Sequence, residues 1–226
     1  MNLQDSAATA RQDDRNFFKH EGLIMKPVED FTVFDGFLCC DPDDKDADID
    51  NFLRDGDASR YFNDKVAVTY GLFFDRQKWK AKLPLLILSR LADKLPFFSR
   101  PGWESKLPLG FATLQNDAIE IPIKDYYPNM PAVKIGHFGI RREFQRRKIG
   151  STFLYMIYQF MRQANNRTGC RFLTLNTYEP LVKFYEDNNF IVFNGKPRNP
   201  QSSSQSIMYL DLLAESFNRW PPKIEI

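Results

Sequence analysis

The chain reads as an α/β domain with at least one parallel strand pair. Three observations carry that expectation. Strand-like and helix-like runs alternate after residue 131, the pattern of strand–helix–strand units. The strand candidates are rich in Val, Ile, Thr, Tyr and Phe, which fit a pleated, half-buried surface. The clearest helix candidate, STFLYMIYQFMR at 151–162, places Phe153, Leu154, Met156, Ile157, Phe160 and Met161 at helical intervals.

Taken in order, residues 1–22 are polar and mixed in charge, and they read as a flexible N-terminal arm. Asp46 or Asp48 could cap a helix that carries Ile49, Phe52, Leu53 and Tyr61 on one side. KVAVTYGLFF (65–74) reads as a strand. Residues 77–106 hold an apolar run, LLILSRLADKL, among prolines, which suits a short helix packed over the core. GFATLQ and AIEIPI read as a strand and its neighbour or extension. AVKIGHFGI (132–140), bounded by Pro131, is a strand, and the helix at 151–162 follows. RFLTLNT (171–177) is a strand, and EPLVKFYEDNN (179–189) is a helix with Pro180 in its first turn. FIVFNG and SIMYLDLL (206–213) are strands, joined by the loop NGKPRNPQSSSQ.

Composition excludes several classes. With 226 residues and 43% hydrophobic content, the chain can bury a core without disulfides or a structural metal. Aromatics at 15% rule out global disorder. No apolar run reaches the roughly 18 residues that cross a bilayer, and the first twenty residues lack a signal-peptide core, so no membrane partner is expected. The net charge of +2 does not by itself imply nucleic-acid binding. Cys39 and Cys40 adjoin, Cys170 stands alone, and His20 and His137 are far apart. That pattern has neither a disulfide framework nor zinc-finger spacing, so free thiols in a reducing cytoplasm and no metal are expected.

Chemistry concentrates at 140–152. A strand ends, a basic loop follows, and a helix starts near Gly150 or Ser151. Five basic side chains (Arg141, Arg142, Arg146, Arg147, Lys148) against Glu143 give the loop a net charge of +4. Unsatisfied N–H groups and the dipole at a helix start favour anions, and a glycine lets the backbone approach a phosphate. The loop therefore suits a pyrophosphate, with a solvated basic turn as the alternative.

Residues 133–150, the helix after them, and TLNTYEPLVKFYEDNNFIVF resemble the GCN5-related N-acetyltransferase (GNAT) family. That family's pyrophosphate loop, Gln/Arg-x-x-Gly-x-Gly/Ala, stands here as Gln145-Arg146-Arg147-Lys148-Ile149-Gly150. Its later aromatic-Tyr-Glu run stands as Phe184-Tyr185-Glu186, closing at Asn189-Phe190. The two motifs keep their order and lie about 35 residues apart, and the resemblance covers about residues 109–212. It implies a single domain over 23–226, with an insertion at about 77–106. It also implies a mixed, mostly antiparallel central sheet with a splayed parallel strand pair and flanking helices.

The resemblance further implies acetyl-CoA as acyl donor and a primary amine as acceptor. The pantetheine would lie between the splayed strands 133–140 and 171–177, along Phe138, Gly139 and Ile140. The pyrophosphate would lie on Gln145, Arg146, Arg147, Lys148, Ile149, Gly150 and Ser151. Tyr185 would donate a proton to the departing CoA thiolate. A free tyrosine near pKa 10 and a thiol near 8.5 make full transfer uphill by about 2 kcal/mol, so it acts at least partly as a hydrogen-bond donor. Without that context Tyr185 reads as a half-buried aromatic. His137, opposite Phe138 by strand alternation, is the candidate general base beside a structural reading, with Glu120 and Glu143 as weaker candidates.

This chain departs from the pattern at three places. Lys148 and Arg146 stand where the loop carries glycines, and Tyr178 replaces an asparagine seven residues before Tyr185. A non-catalytic acyl-CoA- or partner-binding module of the same fold is therefore an alternative. The N-terminal half, with Ile49-Asp50-Asn51-Phe52-Leu53 and Ala58–Tyr61, is similar to acetyltransferase toxins that modify aminoacyl-tRNA. The acceptor is thus a small molecule, a protein or an aminoacyl-tRNA, and exposed strand edges are compatible with a homodimer.

Overall fold

A computed structural model describes residues 18–20, 22–40, 48–75, 107–121, 129–193 and 205–214. The arm up to residue 17, Asp46, the segment 77–106 and the loop 194–204 lie outside the described residues. The described strands are β1 (Phe18–His20), β2 (Leu23–Pro27), β3 (Val68–Phe74), β4 (Gly110–Glu120), β5 (Asn129–Ile140), β6 (Phe172–Tyr178), β7 (Ile191–Val192) and β8 (Gln205–Asp211). The helices are α1 (Asp48–Arg54), α2 (Asp57–Asn63), α3 (Ile149–Thr168) and α4 (Glu179–Glu186). The strands form one sheet in the order β1-β2-β3-β4-β5-β6-β8-β7. Every neighbouring pair is antiparallel except β5 and β6.

The parallel pair follows from α3. A parallel connection must cross over the sheet, and this 20-residue helix supplies the crossover. Its buried face is Phe153, Leu154, Met156, Ile157, Tyr158 and Met161, which joins Leu72, Leu114, Ile135, Leu173 and Leu210 in the main core. Truncating Ile157 or Leu154 to Ala would cost about 2–5 kcal/mol at such depth. The helix runs past the expected end at residue 162 and stops where Gly169 takes a left-handed φ of 64°.

Local differences from the sequence expectation have plain causes. The sheet begins inside the expected arm, because Phe18–His20 pairs with β2 and the His20 ring meets Tyr155 at 5.0 Å. One expected helix over 48–61 is two, broken at Gly56 with φ 81°. Its apolar residues Ile49, Phe52, Leu53 and Tyr61 still pack together, against Phe34, Phe37, Phe73 and Phe111 on the other face of the sheet. Pro131 lies within β5 instead of bounding it, ahead of the β6 pairing that starts at Ala132, so its missing N–H costs no bond to β6. Helix α4 ends three residues early, at Glu186, and Asn189 follows with φ 69°. AIEIPI extends β4 as far as Glu120.

Two features of the sheet open a cleft. β5 and β6 pair only over Ala132–Ile135 and Phe172–Leu175. Beyond that, Gly136–Ile140 stay with β4 and Asn176–Tyr178 with β8. The register gives the reason. Leu114 pairs with Ile135 but Ala112 with Phe138, so two steps on β4 match three on β5. The extra residue is a β-bulge, which bends the strand away from its neighbour.

Candidate active site

The base of the cleft is the start of α3. Thr152 N–H makes the helix's first i→i−4 bond, to Lys148 O at 2.9 Å. The N–H groups of Ile149, Gly150 and Ser151 precede it, and the side chain of the N-cap residue, Lys148, makes no capping bond to them. Lys148 and Arg146 hold left-handed φ values of 61° and 59°, so the loop adopts at these positions the conformation for which glycine is the usual residue. Gly150 is constrained by packing. A Cβ there would come within 3.3 Å of the Phe184 ring and 3.5 Å of Ile140.

The basic residues divide. Arg141 is 3% exposed, so it adds no charge to the loop's surface. Its Nε donates to Pro108 O at 3.1 Å, its Nη1 to Gly36 O at 3.2 Å, and its guanidinium lies over the Phe37 ring. Burial lowers its pKa, against the opposing effect of Glu143. Arg146 and Lys148 are exposed, and Arg142 and Arg147 are half-buried. Gln145 fastens the loop: its Nε2 donates to Cys39 O at 2.7 Å and to Ile140 O at 2.9 Å.

The walls are the open edge of β5 and the far half of β6. Arg141 N–H bonds Leu109 O beside β4, so strand alternation turns the backbone groups of Phe138 and Ile140 toward the gap. The Phe138 ring packs on Phe153 and Phe184, at 5.5 and 6.5 Å between centroids. Gly139 is buried under Cys39, Phe111 and Ile49. Across the gap, Thr177 has a buried hydroxyl with no hydrogen-bond partner among the described residues.

Tyr185 and His137 belong to opposite faces. Tyr185 is 7% exposed and packs against Phe184 and Phe190, within the core that α3 covers. Burial pushes its hydroxyl above the ordinary tyrosine range, so it stays a neutral donor. His137 points the other way, as alternation required, and stacks on Phe52 at 3.6 Å and 11°. Its backbone N–H donates to Thr113 Oγ1 at 2.7 Å, and its Nδ1 lies 3.2 Å from the same oxygen. Burial holds His137 below its usual pKa, Lys134 adds to this, and Asp48 and Asp57 oppose it. Glu120 pairs with Asn129 at the far end of β4, seven residues or about 23 Å from Thr113 at the bulge. Glu143 stays in the loop, with a buried Oε2 that has no partner among the described residues.

Three contacts here escape a reading by local sequence. Thr113 holds His137 across the bulge. Tyr178 donates to Asp48 Oδ2 at 3.4 Å, closing the gap between β6 and α1 across 130 residues. Asp50 accepts from Cys39 N–H and Cys40 N–H, at 2.9 and 3.2 Å, tying the 39–40 turn to α1. The adjacent cysteines and the Asp-Ile-Asp helix start were the only local signals of the last two.

No protein-family model matches the sequence, and no curated protein matches it. Solved structures do. A bacterial toxin matches with TM-score 0.60 at 14% identity, over 84% of this chain and 90% of that one. AtaT complexed with acetyl-methionyl-tRNA matches with TM-score 0.58 at 17% identity, over 84% and 94%. A tyrosine-to-phenylalanine mutant of KacT matches with TM-score 0.57 at 17% identity, over 85% and 96%. At these identities the likeness is one of fold. That fold is the GNAT architecture: a mostly antiparallel sheet with one splayed parallel pair.

Proposed function

We propose that the chain is an acetyl-CoA-dependent N-acetyltransferase acting on a primary amine. One observation carries the reading: β5 and β6 separate beyond Ile135 and Leu175, beside the start of α3, leaving a free strand edge along the rest of β5. The residues fit an acyl-CoA substrate at each step. The N–H groups of Ile149, Gly150 and Ser151, with Arg146, Arg147 and Lys148, take the pyrophosphate. Gln145 places that loop through its two carbonyl contacts. The backbone of Phe138 and Ile140 pairs with the pantetheine amides. Gly139 keeps the strand low, and Thr177 offers its hydroxyl from the opposite wall.

The neutral amine attacks the thioester carbonyl carbon, the C–N bond forms, and the C–S bond then breaks. Tyr185 donates a hydrogen bond to the departing thiolate from one face. The ammonium proton leaves on the other face, to His137 directly or through water. The depressed pKa of His137 keeps it unprotonated near neutral pH. The carboxylates of Asp48 and Asp57 beside it favour a cationic amine arriving from solvent. Asp48, Asp57 and the Tyr178 bridge thus set an acidic acceptor side against a basic donor side.

A second reading, an aminoacyl-tRNA acceptor, is supported by the likeness to AtaT, whose complex holds acetyl-methionyl-tRNA, and by the exposed cations of the loop. Salt separates the two, since phosphate contacts weaken steeply with ionic strength while a small amine's binding does not. The test is calorimetry with acetyl-CoA on wild type and Gly150→Arg, then CoA-thiol release with polyamine-like amines, lysine peptides and aminoacyl-tRNA. Micromolar binding lost in the variant, followed by thiol release, is expected. Failure to bind at about 1 mM, weaker than roughly −4 kcal/mol, would reject the enzyme reading in favour of a non-catalytic module.

A further inference from the structure

We infer that Cys39, Cys40 and Asp50 form a site for a thiophilic divalent cation of the zinc class. Side chains of adjacent residues ordinarily diverge, yet here the two Sγ atoms lie 3.8 Å apart. The cause is Asp50, whose buried carboxylate takes both backbone N–H groups and folds the turn over itself. Its Oδ1 is also 3.1 Å from Cys39 Sγ, and the three donor atoms lie within 4.8 Å of one another.

These spacings suit a metal. Two thiolates bound at 2.3 Å in a tetrahedron stand about 3.8 Å apart, and a thiolate and a carboxylate oxygen about 3.5 Å apart. The Sγ–Sγ spacing already equals that of a tetrahedral site, and the Cys39 Sγ–Asp50 Oδ1 distance of 3.1 Å falls short of it by about 0.4 Å. Both thiols are half-buried, and a water would complete the fourth position. The charge balances as well. Without the ion the cluster carries −1, from Asp50. With it, two thiol protons leave to solvent, and two thiolates, one carboxylate and a 2+ ion again sum to −1.

The place gives the site a consequence. Cys39 Sγ would lie 3.0 Å from a Cβ on Gly139, and Cys39 O receives the Gln145 amide. An ion here ties α1, the end of β5 and the 141–148 loop into one joint. Its existence does not depend on the acyltransfer reading.

The experiment uses the full-length chain, reduced and stripped of metal, titrated with Co²⁺ and then with Zn²⁺ as competitor. Expected are thiolate-to-cobalt charge-transfer bands with tetrahedral ligand-field intensity, one ion per chain, displacement by zinc and release of two protons. Cys40→Ser should weaken binding about 100-fold, at the upper end of what loss of an outer-shell partner alone costs. Cys170→Ser, whose thiol lies outside the cluster, should leave it unchanged. Should Cys40→Ser fold poorly, protection of Cys40 from iodoacetamide by zinc in the wild-type chain reads the same contact. Absence of a tetrahedral cobalt spectrum, a spectrum unchanged in Cys40→Ser, or undiminished alkylation under zinc would overturn the site.

Discussion

The two ends of the cleft differ in where their chemistry comes from. On the acyltransfer reading, the anion end is assembled from consecutive residues, 145–151, and would work through backbone N–H groups and exposed cations. On the same reading, the reacting end would draw His137 from β5, Thr113 from β4, Phe52 and Asp48 from α1, Asp57 from α2, Tyr178 from β6 and Tyr185 from α4. A local site tolerates side-chain change provided its backbone shape survives, which is how Lys148 and Arg146 can hold left-handed φ values in a loop usually built with glycine. A distributed site tolerates rearrangement of its elements poorly, and here a shared aromatic core fixes them. Phe34, Phe37 and Phe52 all meet Phe111, at 5.6, 5.5 and 6.4 Å.

The contrast can be broken most severely at Tyr185. Tyr185→Phe keeps the buried ring, so the melting temperature and acetyl-CoA affinity should stay near wild type while kcat falls about 10²- to 10⁴-fold. Because burial raises its pKa, the wild-type rate should show no alkaline limb from this hydroxyl below about pH 10. An equal loss of acetyl-CoA affinity would show that the two ends are not separate.

His137→Gln should lower kcat/KM about 10²-fold and remove an acid limb lying below the ordinary histidine pKa near 6.5. The stability sign can be worked out. The folded pKa is depressed, so the unfolded state takes up the proton first as pH falls. Stability should therefore drop on acidification from about 6.5 down to the folded pKa and change no further below it, and the variant should lack that slope. Urea unfolding at several pH values measures it, and an unchanged slope would show that His137 does not supply it.

Arg141→Met tests whether the loop's buried cation belongs to the fold or to the ligand. The loss of two charge-assisted carbonyl bonds should cost about 3 kcal/mol of stability or more, seen in the urea midpoint. Acetyl-CoA affinity should change far less. A large affinity loss at unchanged stability would move Arg141 into the anion site.

Lys148→Gly has the smallest expected effect. Relief of a left-handed φ, about 1–2 kcal/mol, is offset by about 0.5–1 kcal/mol of glycine's extra chain entropy. Net stabilisation of at most about 1.5 kcal/mol is expected by thermal unfolding. Destabilisation would mean that the lysine side chain holds the loop.

The alternation of strands and helices, the α3 apolar stripe, the Gln145–Gly150 loop and the Tyr185 run were legible because each is encoded by neighbours in sequence. Periodicity and charge are local quantities, and they predict local structure. The opposite facing of His137 and Phe138 was legible too, since a strand alternates. The strand at Phe18–His20 was not, because three residues form a strand only when β2 offers them an edge. Nor was the burial of Arg141, one of five cations that look alike in sequence. Pairing two carbonyls 33 and 105 residues away decided that it points inward.

By itself, then, the sequence determined the class of fold, the basic loop that ends at a helix start, and the short helix that carries Tyr185. The tertiary structure decided the rest. An extra residue on β5 opposite Thr113 parts two strands, and Phe111 at its centre gathers three other aromatic rings. Asp50 folds two neighbouring thiols onto one side. Each of these depends on which distant atoms come within bonding distance, a quantity that no local pattern of residues contains.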